Sequence, residues 1–306
     1  MTLFGELIAV FGQALLPPVV IAGVGAVAHR ILHFDLHSVN RLSIYIFTPA
    51  LMFTSLLRVD IRWSDGLLVL AFCLLVVIVM STLGSLYAKL RGLDAATRSG
   101  VVLSASLYNA LNLGFPVVLF AFGEDGLALA AVVVAANTLP HHGFGAYVAA
   151  RGTRSRGESL LTLLRLPILY AIGLALAFRG FDITVPSVVL APLELLAKGT
   201  IPVLLVTIGM ELGRIQSSDS NRPDVWGAVL LRLLVGPLVA WGVSTALGLT
   251  GLLRSVVILQ ASMPTAIIPI VYAREFGGNV PFVSRAVVLS TVFGVVSVTV
   301  VLRFLK

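Results

Sequence analysis

Residues 98–123, RSGVVLSASLYNALNLGFPVVLFAFG, resemble residues 254–277, RSVVILQASMPTAIIPIVYAREFG. Aligned without a gap, Arg98, Ser99, Val101, Leu103, Ala105, Ser106 and Ala110 meet identical residues at positions 254, 255, 257, 259, 261, 262 and 266. Each stretch is an apolar span interrupted in its middle. The first interruption holds Asn109, Asn112, Gly114 and Pro116; the second holds Pro264, Thr265 and Pro269. A spanning helix satisfies its own backbone groups, and proline removes a donor and clashes with the preceding turn, whereas glycine permits unwinding. The expectation is a helix that stops near Asn109 and restarts near Gly114. Paired broken spans in two halves of a membrane protein point to a transporter's binding site.

Composition agrees. The 306 residues are 58% hydrophobic and 11% charged, with a mean hydropathy of +1.04. A soluble domain of this size does not need so much apolar surface, whereas a polytopic membrane protein does. The net charge of +7 comes from basic residues scattered singly between apolar runs. That pattern orients a membrane protein and does not form a nucleic-acid surface. The one cysteine, Cys73, lies in an apolar span, which excludes a disulfide framework and a cysteine-rich metal site. Residues 2–16 lack Lys and Arg and run into Pro17-Pro18, so the first segment reads as a retained span rather than a signal peptide.

Ten spans fit, at roughly 7–28, 38–57, 67–88, 99–122, 127–149, 160–179, 189–212, 226–248, 253–273 and 282–303. Helices are expected, since a barrel would need alternating strands of about ten residues. Loops after odd-numbered spans hold twelve Lys and Arg against six in the even loops and C-terminus. The positive-inside rule then places the odd loops in the cytoplasm and both termini outside. The polar stretch RGTRSRGES at 151–159 divides the chain into a first repeat, 1–150, a linker, 151–158, and a second repeat, 159–306. Five spans per half make the repeats inverted. Two further matches keep the same order: residues 14–30 with 163–179, around Pro18 and Pro167, and 47–55 with 199–209, around Pro49 and Pro202.

At the first break, one half-helix would offer free carbonyls and the other free N–H groups, the latter suited to an anion. The Asn109 and Asn112 amides can donate to a carboxylate or accept from a cation or water. The alternative is a proline kink capped by buried amides. His141 and His142, beside Pro140 and near Asn137, are candidate proton-relay groups or polar residues at a helix end. Glu194 and Lys198 have the spacing of a helical ion pair, functional or interfacial. Glu211 lies between Gly209 and Gly213, whose spacing favours close helix packing. Arg165, Lys198 and Arg232 fall within spans and do not enter the loop count. The Gly23-x-Gly25-x-x-Ala28 pattern follows no soluble strand and reads as packing residues, not a dinucleotide fingerprint. No P-loop, His-Glu-x-x-His motif or paired intramembrane aspartate is present, so the chain is not read as an enzyme and needs no cofactor or metal.

ASMPTAIIPIVYAREFGGN at 261–279 resembles the ninth-span Pro-x-x-x-x-Pro motif of the auxin efflux carrier family. NALNLGFP at 109–116 is similar to that family's Asn-x-x-x-x-Gly-x-Pro pattern. The family includes plant auxin exporters and bacterial organic-anion carriers, and the similarity covers essentially the whole chain. The resemblance implies an all-α, ten-helix inverted repeat in which broken helices 4 and 9 cross, as in sodium/proton antiporters and bile-acid symporters. Spans 1, 2, 6 and 7 would form a scaffold and homodimer interface; spans 3–5 and 8–10 would form a mobile transport domain. Asn109 would contact a substrate carboxylate, with Thr265 as its counterpart. Plant members carry proline where this chain has Tyr108, and an apolar residue where it has Asn112. Their long cytoplasmic loop is reduced here to residues 151–158.

The expected function is a secondary carrier of a small organic anion in the cytoplasmic membrane, working by an elevator-type alternating-access motion and directed to efflux. Asn109, Asn112, Gly114 and Thr265 would hold the substrate, and Pro116, Pro264 and Pro269 would shape the crossing. Alternatives are dicarboxylate uptake coupled to H+ or Na+, or a cation/proton exchanger. The exchanger predicts carboxylates at the crossing, and residues 99–122 and 255–273 contain none.

Overall fold

The computed structural model describes residues 3–145, 148, 166–214 and 223–306. Among these the regular elements are all helical, joined by one isolated β-bridge. In chain order they are α1 (residues 3–32), α2 (36–58), α3 (Trp63–Leu90), α4 (Ala95–Ser106), α5 (110–122), α6 (124–144), α7 (Pro167–Gly180), α8 (Ser187–Arg214), α9 (223–246), α10 (Gly251–Ala261), α11 (Ile268–Glu275) and α12 (Val280–Leu305). Among the described residues six helices are long and apolar enough to cross a membrane: Gly5–Leu32, Trp63–Leu90, Ala110–Leu139, Ser187–Gly213, Pro223–Ala246 and Val280–Leu305. Their outward faces are apolar, with Val188, Leu90 and Leu238 exposed, as lipid contact requires. This is a polytopic membrane protein. The linker at 151–158 lies outside the described residues.

Gly123, at φ 70° and ψ −162°, separates α5 from α6 within the Ala110–Leu139 run. Only glycine adopts that backbone without strain. Glu124 and Asp125 then open α6, where the helix dipole favours negative charge.

Proline acts differently from the sequence expectation. Four π-turns, Phe11–Leu15, Ser43–Phe47, Ala110–Gly114 and Leu231–Val235, are each followed two residues later by a proline: Pro17, Pro49, Pro116 and Pro237. A proline inside a helix clashes with the carbonyl four residues back and leaves it without a donor. Widening the preceding turn relieves that clash while the helix continues.

Helices α1, α2, α7 and α8 pack together. The α1–α8 contact runs backbone to backbone, with Gly25 against Val206 and Gly209 against Ala22 and Ala26. Small residues here let main chains approach closely, and dispersion then holds the helices where lipid supplies no hydrophobic drive. Helices α2 and α8 are pinned along their length. Asn40 Nδ2 donates to Glu211 Oε1 at 3.0 Å, Thr200 Oγ1 donates to the Phe47 carbonyl at 2.9 Å, and Arg58 pairs with Glu194. Glu194 thus takes its cation from α2 and not from Lys198 one turn along. An interhelical arginine ties two elements, whereas a pair within one helix ties none.

The remaining helices form a second packed group, in which α3 contacts α4 and α9, and α12 contacts α4, α9 and α11. Ser297 Oγ donates to the Leu233 carbonyl at 2.6 Å, and Arg91 Nε reaches Asp224 Oδ1 at 2.9 Å. Asp94 caps α4: its carboxylate accepts from the Thr97 N–H at 3.0 Å and the Thr97 hydroxyl at 2.7 Å. Those bonds, the backbone one first, hold the Asp94 carboxyl below its usual range. A depressed pKa stabilises the fold above the unfolded value of about 3.9, and that stability is lost as pH falls through the folded value. Asp94→Ala should lower stability by about 1 kcal/mol near neutrality. Thermal unfolding in detergent should show the gap to wild type closing as the medium is acidified below that range.

Candidate functional site

The two interrupted stretches meet. Helix α4 ends at Ser106, where Leu107 turns extended at φ −97° and ψ 107°, and α10 ends at Ala261. The open segments pair antiparallel, with Tyr108 bridged to Thr265. The Asn109 N–H donates to the Pro264 carbonyl at 2.8 Å, and the Ala266 N–H to the Leu107 carbonyl at 2.9 Å. Non-helical backbone at membrane depth must be satisfied by protein, and here each segment satisfies the other.

The first break therefore lies at 107–109, upstream of the expected interval between Asn109 and Gly114. Asn109 is the cap of the restarted helix, its Oδ1 accepting from the Asn112 N–H at 3.1 Å. Gly114 and Pro116 fall inside α5, in and just after its π-turn. Gly114 packs against Gln260 and Met263 of the α10 end, away from any open space. Pro264 packs its ring on Gly294 of α12, and Pro269 sits in the first turn of α11, where its missing N–H is harmless.

Thr265 is 1% exposed. Its hydroxyl donates to the Ser104 carbonyl at 2.8 Å, and its N–H donates to Ser290 Oγ at 3.2 Å. It binds the crossing to the end of α4 and is absent from the lining of the cavity beside it. Thr265→Val should lower stability by about 1 kcal/mol, the loss of one buried hydrogen bond, while leaving substrate affinity unchanged. Thermal unfolding and substrate titration on the same preparation separate the two effects.

Beside the crossing lies a cavity of about 390 Å³. The first turns of α5 (Ala110, Leu111, Asn112) and of α11 (Ile268), with the preceding Ala266 and Ile267, form one wall. Residues Asn40, Thr48, Thr207 and Glu211 of α2 and α8 face them. Tyr108, Asn109, Asn137 and His141 complete the polar lining. Asn109's Nδ2 has no hydrogen-bond partner among the described residues, so this amide offers a donor while its oxygen is held by the cap. No side chain caps α11. Two helix amino ends, each carrying about half a positive elementary charge, therefore face one space.

The carboxyl ends of the same two breaks are treated oppositely. Arg232, from the π-turn of α9, is fully buried. Its Nη1 donates to the Ala105 carbonyl at 2.9 Å and its Nη2 to the Ala261 carbonyl. Its guanidinium lies 5.5 Å from the Tyr108 ring centroid, a cation–π contact. Tyr108 in turn meets the His141 ring edge-on at 4.6 Å. His141 Nε2 lies 3.0 Å from Asn137 Nδ2. The side chain of His142 lies outside the described residues.

A second cavity of about 390 Å³ continues along the same α2–α8 seam, lined by Thr54, Ser55 and Arg58 of α2 and Glu194, Lys198 and Ile201 of α8. Opposite them stand Leu119, Phe120, Glu124 and Asp125 of α5 and α6.

Sequence reasoning placed Tyr108 at the site through its departure from the plant pattern, but missed Arg232 and the Asn40–Glu211 pair as members of this region. For Arg232 the signal was present: a lone cation inside an apolar span is a functional candidate by default. Glu211 was legible only as part of a glycine-spaced packing seam, because its neighbour Asn40 is remote in sequence.

Residues 10–141 and 153–302 match the family model described as Membrane transport protein. An uncharacterized transporter of Methanothermobacter thermautotrophicus is 31% identical over 268 residues, covering 86% of this chain and 87% of its own. An uncharacterized transporter of Methanocaldococcus jannaschii is 27% identical over 268 residues, covering 83% and 84%. Auxin efflux carrier component 2 of Oryza sativa subsp. japonica is 29% identical over 131 residues, covering 41% of this chain and 21% of the rice protein. Two matched segments that together span nearly all of the sequence, and a full-length relative above 30% identity, agree with a fold of apolar helices around a crossed pair of breaks: the chain belongs to the membrane transport protein family, that of the auxin efflux carriers.

Proposed function

We propose that this transporter carries a small organic anion, bound as a carboxylate at the crossing. The observation that carries the reading is the sign of the groups facing the first cavity. Two helix amino ends and the free Nδ2 of Asn109 converge there, the Glu211 carboxylate in the lining is held by Asn40, and Arg232 engages the carboxyl ends on the other side of Tyr108. A carboxylate gains charge-assisted bonds from such donors, whereas a cation meets the wrong ends of both helices. Asn112 is the second candidate ligand. Thr265 and Gly114 hold the crossing in shape.

The motion proposed is of the elevator type. Helices α1, α2, α7 and α8 would be the stationary scaffold, and the group containing the crossing would slide along it. Support comes from two cavities on the α2–α8 seam, one lined by residues towards each end of those helices. The same reading counts ten spans in two inverted repeats of five in the cytoplasmic membrane, with both termini outside. Helices α4 with α5, and α10 with α11, would each be one broken span. Direction is proposed as efflux.

Proton-coupled uptake is the second reading, favoured because two titratable side chains, His141 of α6 and Glu211 of α8, line the same cavity. Proteoliposomes loaded with labelled mono- and dicarboxylates test both. Exchange against an external acid of the same class, indifferent to pH gradients, is the expected result for the first reading. Accumulation driven by an acid-outside gradient and lost in His141→Gln or Glu211→Gln supports the second. Absence of carboxylate exchange, with flux of an alkali cation instead, would sink both.

A further inference from the structure

We propose that Arg232 is the resident counter-charge of the crossing, a fixed cation that the chain supplies where two half-helices end in carbonyls. Its side chain has 0% exposure, and one guanidinium reaches the last turns of both α4 and α10 through Ala105 and Ala261. Among the described residues none of the ion pairs includes Arg232, so helix ends are its partners in place of a carboxylate. The backbone makes room for it. The guanidinium folds back over its own helix to Gly236, where any Cβ would collide with Nη2, and Arg232 itself sits in the widened turn Leu231–Val235.

Each helix carboxyl end carries about half a negative elementary charge, so two converging ends match one guanidinium. An arginine without a partner is strongly unfavourable in a low-dielectric interior. Here the converging carbonyls make it the favoured occupant of a place that would otherwise attract a soluble cation. The inference rests on the carrier reading above and bears on its sign: with the carboxyl ends neutralised from within the chain, the amino ends of α5 and α11 are the helix ends left to act on the cavity, opposite the Glu211 carboxylate that Asn40 holds. Arg232 does not touch the substrate. The Tyr108 ring stands between them, packed on the guanidinium on one side and lining the cavity on the other. Arg232 is therefore a positioning residue.

Arg232→Ala leaves two bare carbonyl ends and a void of guanidinium shape, and both should be refilled by free guanidinium. Carboxylate exchange by the variant should fall roughly tenfold to a hundredfold, the loss of one or two charge-assisted hydrogen bonds, and recover in part when guanidinium is added. Thermal unfolding in detergent should show guanidinium, at concentrations below those that denature, raising the midpoint of the variant and not of wild type. Wild-type exchange should be indifferent to sodium. Exchange by the variant at the wild-type rate without added cation would overturn the proposal, as would guanidinium leaving both variant readouts unmoved, or sodium-dependent exchange in wild type. The thermal readout needs no substrate. If wild type moves no carboxylate yet guanidinium stabilises only the variant, the carrier reading fails and the role of Arg232 stands. Where the alanine variant is not recovered folded, Arg232→Lys and Arg232→Gln carry the test. Exchange retained with lysine and lost with glutamine supports a charge role; equal exchange in the two overturns it.

Discussion

Asn109→Asp should fold as wild type does and move almost no substrate. The side chain caps α5 through Oδ1, which accepts from the Asn112 N–H at 3.1 Å. Aspartate is as good a cap as asparagine, so the helix start should change by only about a few tenths of a kcal/mol. What changes is the face turned to the cavity. The Nδ2 donor disappears and a negative charge takes its place. Two unit charges about 4 Å apart at an effective dielectric constant near 20 interact by roughly 4 kcal/mol, here as repulsion against a carboxylate. That is on the order of a thousandfold in affinity. Thermal unfolding beside carboxylate exchange measures both halves: an unchanged midpoint with exchange abolished is the expected pair. A variant that exchanges normally would remove Asn109 from the site. Loss of folding together with loss of exchange would show that the residue matters to the crossing's structure more than the cap geometry implies.

Gly209→Val should prevent assembly of the helix group that includes α1 and α8. A Cβ at this position would fall within the van der Waals envelope of the Ala22 carbonyl and against the Ala26 backbone. Backbone cannot yield as a flexible side chain does, so the two helices would have to part. Separation would also open the neighbouring contact of Gly25 with Val206. Overpacking a tight site costs about 1–3 kcal/mol, and more where main chain is the obstacle. Gly213→Ala is the control on the same helix face, because its Cβ would meet Ala26 at an ordinary 3.9 Å. Size-exclusion profiles and thermal midpoints should show a monodisperse, stable Gly213→Ala protein and an aggregated or sharply destabilised Gly209→Val protein. Similar behaviour of the two would mean that this seam does not hold the fold together.

The helical, membrane-spanning class was legible because it depends on summed apolarity, which composition and run length report directly. That the two breaks belong to one site was legible from the self-similarity of the two stretches; that they cross near 108 and 265 was implied by the resemblance to the auxin efflux carriers. The place of the first break was not. Gly114 and Pro116 are the obvious helix breakers in NALNLGFP, yet the chain opens three residues before Ala110 and absorbs the proline by widening a turn. Choosing between breaking and widening depends on whether a partner segment supplies hydrogen bonds, and Pro264 and Ala266 are distant in sequence. Thr265 has the same cause: a hydroxyl beside a break looks available until the Ser104 carbonyl is seen 2.8 Å away. Glu194 was read with Lys198 because helical spacing is visible in one segment, whereas Arg58 comes from another.

The central claim is that the cavity beside the crossing receives an organic anion through Asn109 and the two helix amino ends. Charge displacement on a solid-supported membrane tests it most directly, with a panel of mono- and dicarboxylates applied to wild type and to Asn109→Asp side by side. The prediction is a substrate-evoked current for one class of acid in wild type, absent in the variant. A current of equal size in Asn109→Asp would contradict the site, and currents evoked by cations in place of acids would contradict the carrier's sign.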